Sequence, residues 1–195
     1  MTEEEVLNLF YESGAMLKGH FLLTSGRHSD VYFEKFTILR QPRYVEKLCR
    51  VMADRYKNDK VELVVGPTTG GVLIAYEVAK RLGTDSIYAE PSPDGKARIF
   101  KRGFAIEPGC RVLIVDDILT TGRSIREVIG LCRSYEADIV GLGLLLDRSG
   151  GKTDFDYPLM ALATVSADSW DPSECPLCKK GEPITQRGSR RIEKV

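Results

Sequence analysis

The sequence predicts an α/β protein built on an open, twisted, mainly parallel sheet flanked by helices. Two observations lead there. An apolar strand, a turn rich in glycine or acidic residues and a helix follow one another over 61–82 and again over 112–135, and a third apolar strand, Ile139 to Leu146, closes in Asp147 and Arg148. Strands that alternate with helices imply parallel βαβ units. The length of 195 residues suffices for one α/β domain with a sizeable core and is short for two, so a single domain over 1–195 is expected.

The elements follow in order. Thr2 and Glu5 form a capping box ahead of Val6, Leu9 and Phe10 at helical spacing, so the chain opens with a short amphipathic helix. Residues 19–35, GHFLLTSGRHSDVYFEK, carry turn punctuation between aromatic and aliphatic stretches and read as two short strands around a turn. Val45, Leu48, Cys49, Met52 and Tyr56 place one buried face on a helix over 42–57. Val61 to Val65 is a strand, Gly66 to Gly71 a turn, and Val72 to Leu82 an apolar helix. Residues 91–109 begin with two prolines and an Asp94-Gly95 turn and then supply Lys96, Arg98, Lys101 and Arg102; a β-hairpin is the plain reading. Val112 to Val115 is a fully buried strand that ends in Asp116 and Asp117, followed by a helix to about Tyr135. The tail after Trp170 is rich in Pro, Gly and charge and reads as irregular, over 167–195.

Composition excludes several classes. Lys plus Arg and Asp plus Glu are 28 each, giving a formal net charge of zero, and only Arg187 to Lys194 forms a basic block. Nucleic acid is therefore disfavoured as the main partner. No apolar stretch has membrane-spanning length, and the opening MTEEEVLN is acidic, so no membrane association and a soluble, cytoplasmic protein are expected. The five cysteines suit a reducing compartment. Only Cys175 and Cys178, as CPLC, make a motif-like pair; with His20 and His28 far away in sequence, it reads as a structural turn with two free thiols in preference to metal. The metal alternative is a half-site completed by another subunit.

The chemistry concentrates in VLIVDDILTTGRSI, 112–125. After the two carboxylates, Thr120, Thr121, Gly122, Arg123 and Ser124 offer hydroxyls, backbone N–H groups and the positive end of a helix dipole, which is a phosphate cup. Carboxylates repel phosphate, so Asp116 and Asp117 suit ribose hydroxyls or a divalent cation; a phosphorylated sugar fits both. A plainer reading, carboxylates that cap a helix and a glycine that permits a turn, leaves the TTG segment unexplained. Gly66, Pro67, Thr68, Thr69, Gly70 and Gly71 form a second strand-to-helix turn that lets the backbone approach an anion. In open parallel sheets ligands sit at the carboxyl ends of the strands, so these turns and Arg148 should face one crevice.

The 112–125 run resembles the 5-phosphoribosyl-1-pyrophosphate (PRPP) motif of the type I phosphoribosyltransferases. Phe21 to Phe33, with Ser25, Gly26, Arg27, Ser29 and the pair Tyr32 and Phe33, resembles the N-terminal segment of the orotate branch. The resemblance implies that fold, with a small N-terminal hood over 1–40 and a mobile basic loop over 91–109. It implies PRPP binding by Thr69, Gly70, Gly71, Asp116, Asp117, Ile118, Leu119, Thr120, Thr121, Gly122, Arg123 and Ser124, and Mg²⁺ held by Asp116 and Asp117 directly or through water. Orotate would meet Thr120, Arg148, Tyr32 and Phe33, although Arg148 by itself suggests an ion pair with Asp147 or a neighbour, and the two rings by themselves suggest hairpin packing. The catalytic cations would be Lys96, Arg98, Lys101 and Arg102, on a loop shared across a homodimer. Where many members carry a lysine this chain has Thr24, and Lys18 is the candidate substitute. The rival expectations are the same chemistry on a purine or uracil, and a PRPP-sensing regulator that binds nucleic acid through the Arg187 to Lys194 tail.

Overall fold

The computed structural model describes residues 1–23, 25–165 and 169–186. In chain order it runs α1 Glu3–Glu12, β1 Met16–Leu22, β2 His28–Phe33, α2 Lys35–Leu39, α3 Pro42–Tyr56, β3 Leu63–Pro67, α4 Gly70–Leu82, β4 Asp85–Pro91, β5 Arg98–Ile99, β6 Arg111–Leu119, α5 Arg123–Ser134, β7 Asp138–Asp147, β8 Leu159–Ala161, β9 Ser169–Trp170, α6 Pro176–Lys179 and β10 Thr185–Gln186.

The larger sheet has the order β5-β4-β3-β6-β7-β8. All its neighbours are parallel except the β4–β5 pair, as expected for a mixed α/β sheet. Successive side chains of a strand point to opposite faces, and β6 uses this fully. Leu113 and Val115 face the layer of α1, α3 and α4 with Leu48, Met52 and Ile74, whereas Val112 and Ile114 face α5 with Ile125, Val128 and Cys132. Burial on both faces is what makes the strand uniformly apolar.

A second, four-stranded sheet has the order β10-β1-β2-β9. Its hairpin is antiparallel, with Leu17 opposite Tyr32 and Leu22 opposite His28. The capping box is present in both halves, Thr2 N–H on the Glu5 carboxylate at 2.8 Å and Glu5 N–H on the Thr2 hydroxyl at 3.2 Å.

Several boundaries differ from the sequence expectation: the strand expected over Val61 to Val65 spans Leu63–Pro67, and the tail expected to be irregular carries the short β9, α6 and β10. Strand β6 does not stop at Asp116 but continues to Leu119, because β7 runs on beside it and pairs Ile118 with Leu146 and Leu119 with Asp147. The helix after the glycine turn starts at Gly70, two residues before Val72. The basic residues over 91–109 divide between a short β4–β5 hairpin and a segment anchored by Phe104 on Tyr88 and by buried Ile106.

Candidate active site

Asp116 and Asp117 sit on the last full turn of pleat in β6, 8% and 2% exposed, and consecutive positions send them to opposite faces of the sheet. Asp116 lines a cavity of about 50 Å³ with Ile118, Leu119 and the residues Thr120 to Ile125. Burial, reinforced by the Asp117 charge, pushes the Asp116 carboxyl up to about 7. Asp117 faces α4, where Lys35 Nζ lies 3.1 Å from Oδ1 and 3.0 Å from Oδ2. Lys35 thus pairs with both oxygens of Asp117, and no hydrogen bond or ion pair from it to Asp116 is seen among the described residues.

The two turns meet these carboxylates edge to edge. A Cβ on Gly70 would stand 1.6 Å from Asp117 Oδ2, so only glycine admits the carboxylate there. The N-cap of α4, Thr69, and that of α5, Gly122, make no side-chain cap hydrogen bond, and neither helix has an acid in its first turn. Gly122 has φ +76° and is crowded by Arg126 and Thr153, which a side chain would not tolerate. Both helices therefore point unscreened dipole ends at the crevice. Arg126 braces the second turn by donating to the Thr121 carbonyl at 2.8 Å.

Arg148 enters from the end of β7, its backbone N–H donating to the Leu119 carbonyl at 2.8 Å. Its guanidinium stacks over the Phe33 ring, 4.9 Å from the centroid. Asp147 is not its ion-pair partner: that carboxylate accepts the Ser149 and Gly151 N–H groups at 2.7 and 3.2 Å. Arg148 Nε is buried without a hydrogen bond among the described residues, and burial draws the guanidinium pKa below its ordinary value. Phe33 also packs edge-on against Phe10 at 6.4 Å, and Tyr32 lies 5.6 Å from Phe21.

The four loop cations have different surroundings. Arg98 is committed to the glycine turn, with Nη1 donating to the Thr68 hydroxyl at 3.0 Å and the Thr68 carbonyl at 3.2 Å while Nε pairs with Glu127 at 3.3 Å. Lys101 and Arg102 both pair with Glu90, at 3.2 and 3.3 Å. Lys96 is exposed and has no ion pair among the described residues. Arg123 pairs with Glu127 at 2.7 Å and donates to the Gly95 carbonyl at 3.2 Å, which holds the loop tip beside the start of α5.

Sequence reasoning missed Lys35. It is the first residue of α2, separated from β2 by one residue, and only its contact with Asp117 in the fold shows its purpose. Lys18 is exposed on β1, so Lys35 is the lysine that meets Asp117. Thr24 and the Arg187 to Lys194 tail lie outside the described residues.

Two phosphate-ready turns flanking a carboxylate pair at the strand ends of a parallel sheet define the phosphoribosyl transferase class, and the phosphoribosyl transferase domain profile matches residues 37–174. At 45% identity over 192 residues, the chain matches the orotate phosphoribosyltransferase of Desulforamulus reducens across 98% of its own length and 100% of the relative's. The chain belongs to the orotate phosphoribosyltransferase family. The crystal structure of orotate phosphoribosyltransferase from Aeropyrum pernix superimposes with a TM-score of 0.66 at 27% identity, covering 82% of this chain and 93% of that one. Adenine phosphoribosyltransferase from Thermoanaerobacter pseudethanolicus shares the fold, with a TM-score of 0.59 at 21% identity over 69% of this chain and 88% of that one. The fold alone therefore does not choose the acceptor. No helix among the described residues is long and apolar enough to cross a membrane.

Proposed function

We infer that this chain transfers the 5-phosphoribosyl group of PRPP to orotate, giving orotidine 5'-monophosphate and pyrophosphate, the step that supplies the nucleotide precursor of UMP. The observation that carries the choice of acceptor is Arg148. A half-buried arginine with an unpaired, buried Nε and its guanidinium 4.9 Å from the Phe33 ring centroid is matched to a planar carboxylate, which orotate has and uracil and adenine lack.

The remaining roles follow from position. The Thr120 to Ser124 turn takes the 5-phosphate on the amides and dipole of α5, and Thr69, Gly70 and Gly71 take the pyrophosphate on those of α4. Ile118 and Leu119 shape the wall between them, and Thr120 and Tyr32 border the orotate. Asp116 and Asp117 hold the ribose hydroxyls. The carboxylate pair also suits Mg²⁺, directly or through water, since both acids are buried and a single lysine is paired with Asp117 alone. When bound, such a cation supplies neutralisation of the departing pyrophosphate.

No nucleophilic side chain is needed. The ring nitrogen of orotate attacks C1 of PRPP as the C1–oxygen bond to pyrophosphate breaks, with inversion. The protein supplies orientation and a positive surround for the leaving group. Arg98 keeps the glycine turn in shape, and Lys96, with Lys101 and Arg102 behind it, closes over the pyrophosphate and keeps water out.

A homodimer is part of this reading. Leu73 and Tyr76 stand exposed on α4 beside Leu39, Pro42 and Val45, an apolar face suited to a second copy, and the basic loop is shared between the two subunits. Product identification tests the reaction: stoichiometric orotidine 5'-monophosphate and pyrophosphate are expected from orotate plus PRPP, and hydrolysis of PRPP without nucleotide would contradict it.

A further inference from the structure

His20 and His28, remote in sequence from Cys175 and Cys178, stand against them in the fold. The four potential ligand atoms lie within 4.8 Å of one another, and among the described residues they form a single cluster. His20 is on β1 and His28 opens β2, while Cys175 caps α6 and Cys178 lies inside it. His20 and His28 thus stand on the two inner strands of the four-stranded sheet.

We propose that these four side chains bind one Zn²⁺ ion in a structural Cys₂His₂ site that fastens the C-terminal segment to the β1–β2 hairpin. The distances fit. Zn–S and Zn–N bonds of about 2.3 and 2.0–2.1 Å in a tetrahedron put ligand atoms about 3.3–3.8 Å apart. Here Cys178 Sγ is 3.3 Å from His28 Nδ1 and 3.8 Å from His20 Nε2, Cys175 Sγ is 3.5 Å from His20 Nε2, and the two imidazole nitrogens are 3.0 Å apart. The widest separation in the set, up to 4.8 Å, has to close by about 1 Å and the imidazole pair to open by a few tenths of an ångström, movements within the reach of side-chain rotation.

The outer contacts agree. His20 Nδ1 lies 2.8 Å from the Glu182 carbonyl, which can only accept, so Nδ1 carries the proton and the Nε2 lone pair points into the cluster. His20, His28 and Cys175 are buried and Cys178 reaches the surface, giving an enclosed site with an entry path. Two soft thiolates and two imidazoles select zinc over hard cations such as Mg²⁺. On binding, each thiol loses its proton to solvent and no oxidant or reductant is required.

The need for such a fastener is visible. The C-terminal segment is attached to the hairpin by two short pairings, β9 with β2 and β10 with β1, each two residues long, and by Arg27, which donates to the Ser169 carbonyl and hydroxyl and pairs with Asp171. Metal bonds from Cys175 and Cys178 across to β1 and β2 would lock the strand that ends in Tyr32 and Phe33, and through Phe33 the seat of Arg148.

The test is metal analysis of the untagged full-length protein, purified without chelators, by mass spectrometry of the elements. About one zinc per chain is expected, together with the intense visible bands of tetrahedral cobalt and a thiolate-to-cobalt charge-transfer band after exchange into Co²⁺. Cys178→Ser, at the exposed corner, should lower the zinc content at least tenfold and shift the cobalt spectrum. Should that variant fail to fold, mercurial titration of the wild-type protein gives the same information, zinc release tracking modification of two thiols. Absence of metal after incubation with excess Zn²⁺ and desalting, or a mass two hydrogens low that maps to a Cys175–Cys178 disulfide, would overturn the proposal.

Discussion

The Arg148 guanidinium lies over the Phe33 ring at 4.9 Å from its centroid, joining the end of the central sheet to the end of the β1–β2 hairpin. The cation–π contact holds the guanidinium beside the ring while its Nε stays unpaired, so the cation is positioned before any ligand arrives. The hairpin therefore serves the site in two ways, through Phe33 beneath Arg148 and through the adjacent Lys35 on Asp117.

Removing that fork should separate the two substrates. Arg148→Ala is expected to weaken orotate binding by about 1.5–3 kcal/mol, the range of a hydrogen bond to a charged group, or roughly 10- to 150-fold. PRPP binding should change by less than about threefold. Titration calorimetry with each substrate measures both, and equal losses would contradict the assignment.

Gly70 and Gly130 make a matched pair of substitutions. Gly70→Ala puts a Cβ 1.6 Å from Asp117 Oδ2 and must displace the carboxylate, so PRPP binding and turnover should fall about 100-fold or more. Gly130→Ala, in α5 with nothing within 4 Å of the added carbon, should raise stability by about 0.5–1 kcal/mol through helix propensity. Thermal melts and steady-state kinetics on the two variants distinguish crowding from a general effect of added methyl groups.

Asp116 gives the ligand-free protein a pH dependence. Its carboxyl is raised from 3.8 to about 7, first by burial and then by Asp117, so the folded state binds a proton that the unfolded state has released between those values. The stability this contributes is complete below about 3.8 and is lost as pH rises through about 7. Asp116→Asn should therefore raise the ligand-free Tm at pH 8 by roughly 2–8 °C, on the order of 1–2 kcal/mol after allowance for Lys35, and leave it nearly unchanged at pH 4. Cation and PRPP binding, which need the carboxylate, should weaken up to about tenfold per pH unit below 7 in the wild type.

Lys96 is the loop cation left free while Arg98, Lys101 and Arg102 are engaged. With a loop shared across a dimer, an Asp117→Asn subunit and a Lys96→Ala subunit, each inactive alone, should form heterodimers with one intact site. Random mixing then restores roughly a quarter of wild-type activity, half the dimers carrying one of two sites. Verified heterodimers without recovery would rule out exchange of Lys96.

The central strand, both turns and the capped first helix were legible because each rests on a local pattern: a doubly buried apolar run, glycines ahead of a helix, Thr2 three residues before Glu5. What depended on partners was not. The continuation of β6 to Leu119 requires β7 beside it, and β4, with Asp85, Ser86 and Glu90 among its seven residues, lacks an apolar run because it lies near the sheet's edge. Lys35 has no motif. The Cys₂His₂ cluster joins residues some 150 positions apart, a distance no spacing rule spans, so CPLC looked like half a site.

Whether orotate is the acceptor is read from its absorbance on mixing the purified protein with PRPP and Mg²⁺, with uracil and adenine run in parallel. The prediction is orotate consumption that requires both PRPP and Mg²⁺, with neither other base consumed. Turnover of uracil or adenine in place of orotate would contradict the reading of Arg148.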